Sequence, residues 1–261
     1  MAGTWLKVER ATQHLIELRR EIARIESGPY ELVEVRDATT GDRTWILQAD
    51  DAAQHLLGLS MYGVIVGDFV HNLRSALDHA VWKLAKPPIT GRTGFPVCLH
   101  ERGVQRSFHG AKDKGIRAIG PYLLKNVPEP AFDFIERVQP YNRFQERAAL
   151  WQLNELWNED KHRSLVLVAD PSWTSRFIIS TLHGRQPYPG EVKPTNPENP
   201  SEVFRLDAAS DSEITVIQPS KVVVRFASPQ IVERLEVMPT LDWMLKDISL
   251  EILPGLESFI P

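Results

Sequence analysis

The feature that most constrains this chain is an unbroken helical pattern over residues 51–86, in which Val66, Phe69, Val70, Leu73, Ala76, Leu77 and Ala80 recur every three or four positions. At about 100° per residue these side chains make one continuous stripe, so the segment must lay one side against a core. Asp50 or Asp51 can cap it, since a short carboxylate accepts hydrogen bonds from unpartnered first-turn amides. The pattern runs to about Ala85, just before Pro87-Pro88. Gly58, Gly63 and Gly67 lie inside it, and each weakens a helix by about 1 kcal/mol relative to alanine. Gly63 and Gly67 share a face, which predicts close packing of another backbone there.

The other side of this helix carries Asp68, His71, Asn72, Arg74, Ser75, Asp78 and His79, with no lysine or glutamate from Ser60 to Trp82. A face built only for water carries long, flexible charges. Short directional donors and acceptors suit a buried hydrogen-bond network or a site, and both readings stand beside plain exposure.

The remaining pattern gives an α+β fold. Leu15, Leu18, Ile22 and Ile25 mark a helix over 9–27 that ends at Gly28-Pro29. Two short strands over 30–48 flank Gly41-Asp42, a pair suited to a hairpin turn. A short helix follows over 130–138. A stronger one starts near Phe144, buries Ala149, Leu150, Leu153, Leu156 and Trp157, and runs into Asn158-Glu159-Asp160-Lys161-His162-Arg163. SLVLVAD, RFIISTL, EVFRL, EITVI and KVVVRF then read as five strands of one antiparallel sheet. HGRQPYPGEVKPTNPENPSE has too many prolines for regular structure, and a helix over 239–259, broken at Pro254-Gly255, closes the chain. The expected architecture is one domain over 1–261: a helical bundle over 9–163 with a hairpin insertion at 30–48, a β-rich part over 164–227 and the closing helix.

Composition narrows the function classes. With 43% hydrophobic and 25% charged residues among 261, disorder, collagen-like repeats and a coiled-coil rod all fit poorly. The net charge of -4 argues against a broad basic surface that coats long nucleic acid, while leaving room for a local basic cleft. Residues 100–117, HERGVQRSFHGAKDKGIR, are the most basic segment and read as a solvated loop or a phosphate-facing rim. Cys98 is the only cysteine, so no internal disulfide can form, and beside Pro96 it reads as buried. The first residues lack the apolar core of a signal peptide, and no run approaches the roughly 20 apolar residues of a membrane span, which predicts a cytoplasmic protein with no membrane partner.

Glu155, Asn158 and His162 follow one another at spacings of three and four, so they share a helix face. Asp160 falls nearer the apolar row and needs a partner if buried, for which Arg74 is the candidate. The site is therefore expected between the 51–86 and 144–163 helices. GVIVGD is not a phosphate loop, because it lacks the Gly-Lys-Ser/Thr ending.

Arg74, four further residues, then His79 on an amphipathic helix resembles the signature of the HEPN superfamily, compact helical domains of which many are metal-independent endoribonucleases. The resemblance implies that Arg74 and His79 act together, usually with the copy from a second subunit, on RNA or a nucleotide and without a cofactor. Ser75 stands where the family often carries an amide, acid or imidazole. The chain is also similar to a group of bacterial proteins with HNLRSALDH-like and DKHR-like segments, here His71–His79 and Asp160–Arg163, which covers most of the chain and implies no activity. In the HEPN reading His79 moves a proton during attack of a ribose 2′-hydroxyl, and Arg74 binds the charge that builds on the phosphoryl oxygens. His71 is a second proton carrier, Asp78 orients an imidazole or holds Arg74, and Ser75, Glu155, Asn158, Asp160, His162 and Arg163 support them. Two other classes remain. Asp68 with His71, and Glu159 with His162, have the carboxylate-to-imidazole spacing of di-metal helical bundles, with Glu17, Glu21 and Glu155 as conceivable further ligands. A non-catalytic ligand-binding or interaction module would use the same polar face.

Overall fold

The computed structural model describes residues 1–26, 30–36, 39, 43–49, 59–89, 91–101, 116, 122–143, 148–171, 176–181, 184–187, 202–208, 213–218 and 222–260. The fold is mixed α+β and dominated by helices. Helix α1 (Ala2–Glu26) lies along helix α2 (Leu59–Leu84), the most extensive helix pairing among the described elements. α1 starts well before residue 9 because Thr4 and Val8 continue the buried row of Ala11, Leu15, Leu18, Ile22 and Ile25. The α2 stripe from Val66 to Ala80 is fully buried, and each large apolar side chain so placed contributes about 1.5–3 kcal/mol.

Three further helices close around this pair. α3 (Glu129–Arg137) starts with Pro128 before it, α4 (Ala149–His162) packs on α2, and α5 (Val237–Lys246) packs on both α1 and α4. The expected break at Pro254-Gly255 is absent. Instead the helix widens into a π turn over Asp247–Ile252 and continues as α6 (Leu253–Glu257). Proline lacks an amide and crowds the carbonyl four residues earlier, and a locally wider turn is one way a helix accommodates both.

The close packing expected at the two glycines is present. A Cβ on Gly63 would lie 2.3 Å from the Leu165 carbonyl oxygen, and one on Gly67 would lie 2.2 Å from Asp160 Oδ1. Only a residue without a side chain lets the end of α4 and the chain after it sit this near α2. Gly58, the capping pair Asp50-Asp51, Gly28-Pro29, Gly41-Asp42, Phe144 and nearly all of the basic 100–117 segment lie outside the described residues.

The hairpin insertion consists of β1 (Tyr30–Arg36) and β2 (Arg43–Ala49), antiparallel, with Tyr30 opposite Ala49 and Arg36 opposite Arg43. The later strands are β3 (Leu167–Pro171), β4 (Arg176–Thr181), β5 (Gly184–Pro187), β6 (Glu202–Ala208), β7 (Glu213–Gln218) and β8 (Val222–Phe226). They do not form the single five-stranded sheet expected from the sequence. β6 joins the hairpin at β2, β3 pairs with β8, and β4 lies between β5 and β7. Short strands leave two edges free for pairing, and their sequences do not specify which edge is taken. β5 falls in the proline-rich stretch read as irregular. Its position at the sheet edge, with Pro187 as its last residue, is one that proline tolerates.

Between α2 and α3 the chain runs without regular secondary structure through Thr93–Leu99, almost entirely buried. Gln139 fixes it from one side: its Oε1 accepts the Cys98 amide at 2.9 Å, and its Nε2 donates to the Pro96 and Ile135 carbonyls at 3.0 Å each. Cys98 is buried, as its setting beside Pro96 implied. Among the described residues no helix is long and apolar enough to cross a membrane.

The Gly63 contact gives a test in which two effects oppose. Alanine favours the helix by about 1 kcal/mol, whereas a methyl driven into a backbone carbonyl costs about 1–3 kcal/mol. Gly63→Ala is expected to lower the unfolding free energy in urea titrations. An equal or higher value would show that the chain just after α4 does not approach α2 this closely at Leu165.

Candidate functional site

Arg74 is 8% exposed in the last third of α2, and its surroundings explain how a guanidinium is held there. Its Nη2 donates to the Phe95 carbonyl and lies 3.3 Å from Asp78 Oδ1 one turn on. The same Asp78 oxygen accepts the Phe95 amide at 2.8 Å. One residue of the Thr93–Leu99 segment is thus gripped at both backbone polar groups by a charge pair on α2. The Arg74 guanidinium also lies over the Trp157 ring of α4, 5.1 Å from its centroid, and Lys161 Nζ lies 3.0 Å from that centroid. Its Nε and Nη1 are shielded from solvent and have no hydrogen-bond partner among the described residues.

Burial lowers the pKa of Arg74, and the Asp78 carboxylate opposes that shift. A guanidinium has so high an ordinary pKa that it stays charged regardless. Lys161 is lowered too, first by desolvation and then by the Arg74 charge, with Asp78 acting against both. Two cations therefore share one aromatic ring and one nearby carboxylate, a local excess of positive charge.

Beside this clamp is a cavity of about 570 Å³. Its walls are the start of α1 at Gly3 and Thr4, the end of α2, the Arg92–Phe95 segment and Leu123. Among the described residues, Arg74, His79, Lys83 and Arg92 line it against a single carboxylate, Asp78. His79, Lys83 and Arg92 are exposed, so an incoming anion meets these three before the buried Arg74. The ring of His79 reaches the first turn of α1, its Nδ1 4.0 Å from where a Gly3 Cβ would stand.

The position expected for the site needs correction. Arg74, Asp78 and His79 do line one cavity, but it opens between α2, α1 and the Arg92–Phe95 segment rather than between α2 and α4. Asp160 does not pair with Arg74. It packs against Gly67, where it feels the charges of Asp68 and His71. The reason is register: Asp160 meets α2 about two turns before Arg74, and Trp157 is the α4 residue that reaches the guanidinium. His71 is exposed and does not line the cavity, and Ser75 is half-buried. Of the α4 set, Glu155 is buried with Asn154 Nδ2 3.4 Å from its Oε1, whereas Asn158, His162 and Arg163 are exposed, and none of the four lines the cavity.

The metal alternative is not built either. Among the described residues no three His, Cys, Asp or Glu side chains come together as ligands. Asp160 is the residue of α4 that faces Asp68 and His71, and Glu159 and His162 stand about 100° and 200° round the helix from it.

Sequence reasoning missed Lys83, Arg92, Trp82, Phe95 and Trp157. Lys83 was available from the pattern, four residues after His79 and so on the same face. Phe95 and Arg92 carry no local signal, since the backbone of one and the placement of the other come from tertiary packing. Comparison with protein-family models, curated proteins and solved structures returned no match.

Burial raises the Asp160 pKa, the like charge of Asp68 adds to the shift, and His71 opposes it. A carboxyl whose folded pKa lies above its unfolded value favours the fold only while protonated. Its contribution is present below the ordinary Asp range and lost as pH rises through the raised value. Asp160→Asn is therefore expected to raise Tm at neutral pH, with the gain shrinking to nothing at acid pH. A lower Tm at neutral pH would mean that the ionised carboxylate has a stabilising partner.

Proposed function

We propose that this chain is an HEPN-like, metal-independent protein that binds RNA or a nucleotide at the Arg74–His79 cavity and cleaves RNA there. The observation that carries the reading is the charge of that cavity: four basic side chains against one carboxylate, with the Arg and His of the motif both in its wall. In this reading the architecture is a helical bundle with a hairpin insertion and a C-terminal antiparallel β part, and the bundle supplies the rigid helix on which the motif stands.

The chemistry follows from position. Lys83 and Arg92 draw in the phosphate and fix it by charge. Arg74, already immobilised by Phe95 and Asp78, requires little reorganisation when a phosphoryl group gains negative charge in the transition state. His79 takes the proton from a 2′-hydroxyl as it attacks the adjacent phosphorus, the P–O5′ bond breaks, and the departing oxygen must receive a proton. Among the described residues that line the cavity, His79 is the only imidazole. The second proton carrier in the HEPN reading therefore comes from a second subunit, which makes the active form a homodimer.

That same solitary imidazole supports a second reading, a nucleotide-binding module without turnover, in which the cavity holds phosphate and no group returns the proton. The two readings separate in one assay. Single-stranded RNA incubated with the protein in EDTA is expected to be cleaved, with His79→Ala slowing the reaction by about 10²–10⁴. Binding that survives His79→Ala, with no cleavage by the wild type, selects the module. In either reading Arg92→Ala weakens RNA binding and flattens the plot of log affinity against log salt by about 0.7. Cleavage that requires a divalent metal, or an RNA affinity indifferent to Arg92 and Lys83, contradicts the proposal.

A further inference from the structure

Trp82 is 48% exposed and lines the same cavity as Arg74, His79 and Lys83. It stands four residues after Asp78 and three after His79, so its indole lies one turn, about 5.4 Å, further along the same side of α2. The half-buried Leu123 belongs to the same wall. The cavity therefore offers two parts for contact: basic side chains that can bind a phosphate, and the exposed indole of Trp82, which can meet a flat apolar group. Inorganic phosphate would use only the first part. A single sugar spans roughly one helical turn between a phosphate and its base, so a nucleotide fits both parts at once.

Resting on the phosphate-binding reading above, we propose that Trp82 is a base-stacking platform and that the ligand of the cavity is a nucleotide unit with an unpaired base, taken from single-stranded RNA. A base inside a duplex has both faces covered by its neighbours and offers none to the indole. The same platform accepts any base, because every base presents a π face, so the site selects for strandedness rather than sequence. Neighbouring Lys83 keeps the backbone of the strand near the indole by charge. Trp82 has no part in holding the fold: it lies outside the buried core, on the side of α2 away from Phe69, Leu73 and Leu77.

The test uses the full chain, oligoadenylate and oligouridylate as single strands, and the duplex they form together. Binding is measured at fixed salt for the wild type, Trp82→Ala and Trp82→Phe. The wild type is expected to prefer either single strand over the duplex. Trp82→Ala should weaken single-strand binding roughly 5- to 100-fold and leave duplex binding unchanged, and Trp82→Phe should restore most of the loss. If Trp82→Ala leaves single-strand affinity intact, or weakens strand and duplex alike, the stacking role is overturned while a phosphate site sensitive to Arg92→Ala still stands. If the wild type binds no RNA at all, both this inference and the reading it rests on fall. Thermal melts of both variants, expected to match the wild type, exclude loss of folding as the cause.

Discussion

The structure turns on one buried guanidinium. Withdrawing an ion from water costs several kcal/mol, and the cost is offset only when hydrogen bonds and an opposite charge are supplied in good geometry. Here Phe95 and Asp78 supply them, and the cation lies over the Trp157 ring. Each of the three comes from a different part of the chain, so placing Arg74 also places α4 and the Arg92–Phe95 segment against α2. The contact at Phe95 is reciprocal, since its amide binds Asp78 while its carbonyl binds Arg74. Gln139, just after α3, then holds the next residues. Without this clamp the Thr93–Leu99 segment would leave buried backbone groups unpaired, at about 1–3 kcal/mol each.

The electrostatics of the cavity follow from the clamp. Asp78 is engaged by Arg74 and by the Phe95 amide, and among the described residues no other carboxylate lines the walls to balance the charges of Lys83 and Arg92. Lys161 of α4 adds to this through the Trp157 ring it shares with Arg74. A cavity with low-dielectric walls and one sign of charge focuses its field on an incoming anion. The chain as a whole is acidic, at a net charge of -4, so the positive region is local and selects by position.

How much of this was legible in the sequence differs from element to element. The stripe from Val66 to Ala80 is written in helical period and gives α2 directly, and Gly63 and Gly67 reveal a close approach because glycine is otherwise unfavourable inside a helix. Arg74, Asp78 and His79 share a composition that a solvated face does not have, and all three line the cavity. Asp160 could not be assigned its neighbour, since a shift of two turns between packed helices changes nothing in either pattern. Strand pairing was equally hidden, because the edges of short β-branched strands look alike, and β6 joins the hairpin at β2 rather than its sequence neighbours. Phe95 contributes only backbone, which no residue type announces.

Arg74 is a held but incompletely partnered donor at the cavity wall, and the phosphate-binding reading requires it to meet the ligand. The most direct measurement is the nitrogen–proton NMR resonance of Arg74 Nε during titration with adenosine 5′-monophosphate. A saturable shift of that resonance, with an affinity matching that of the bound nucleotide, is the predicted result. A nucleotide that binds while the Arg74 resonance stays in place, or a protein that binds none, would contradict it.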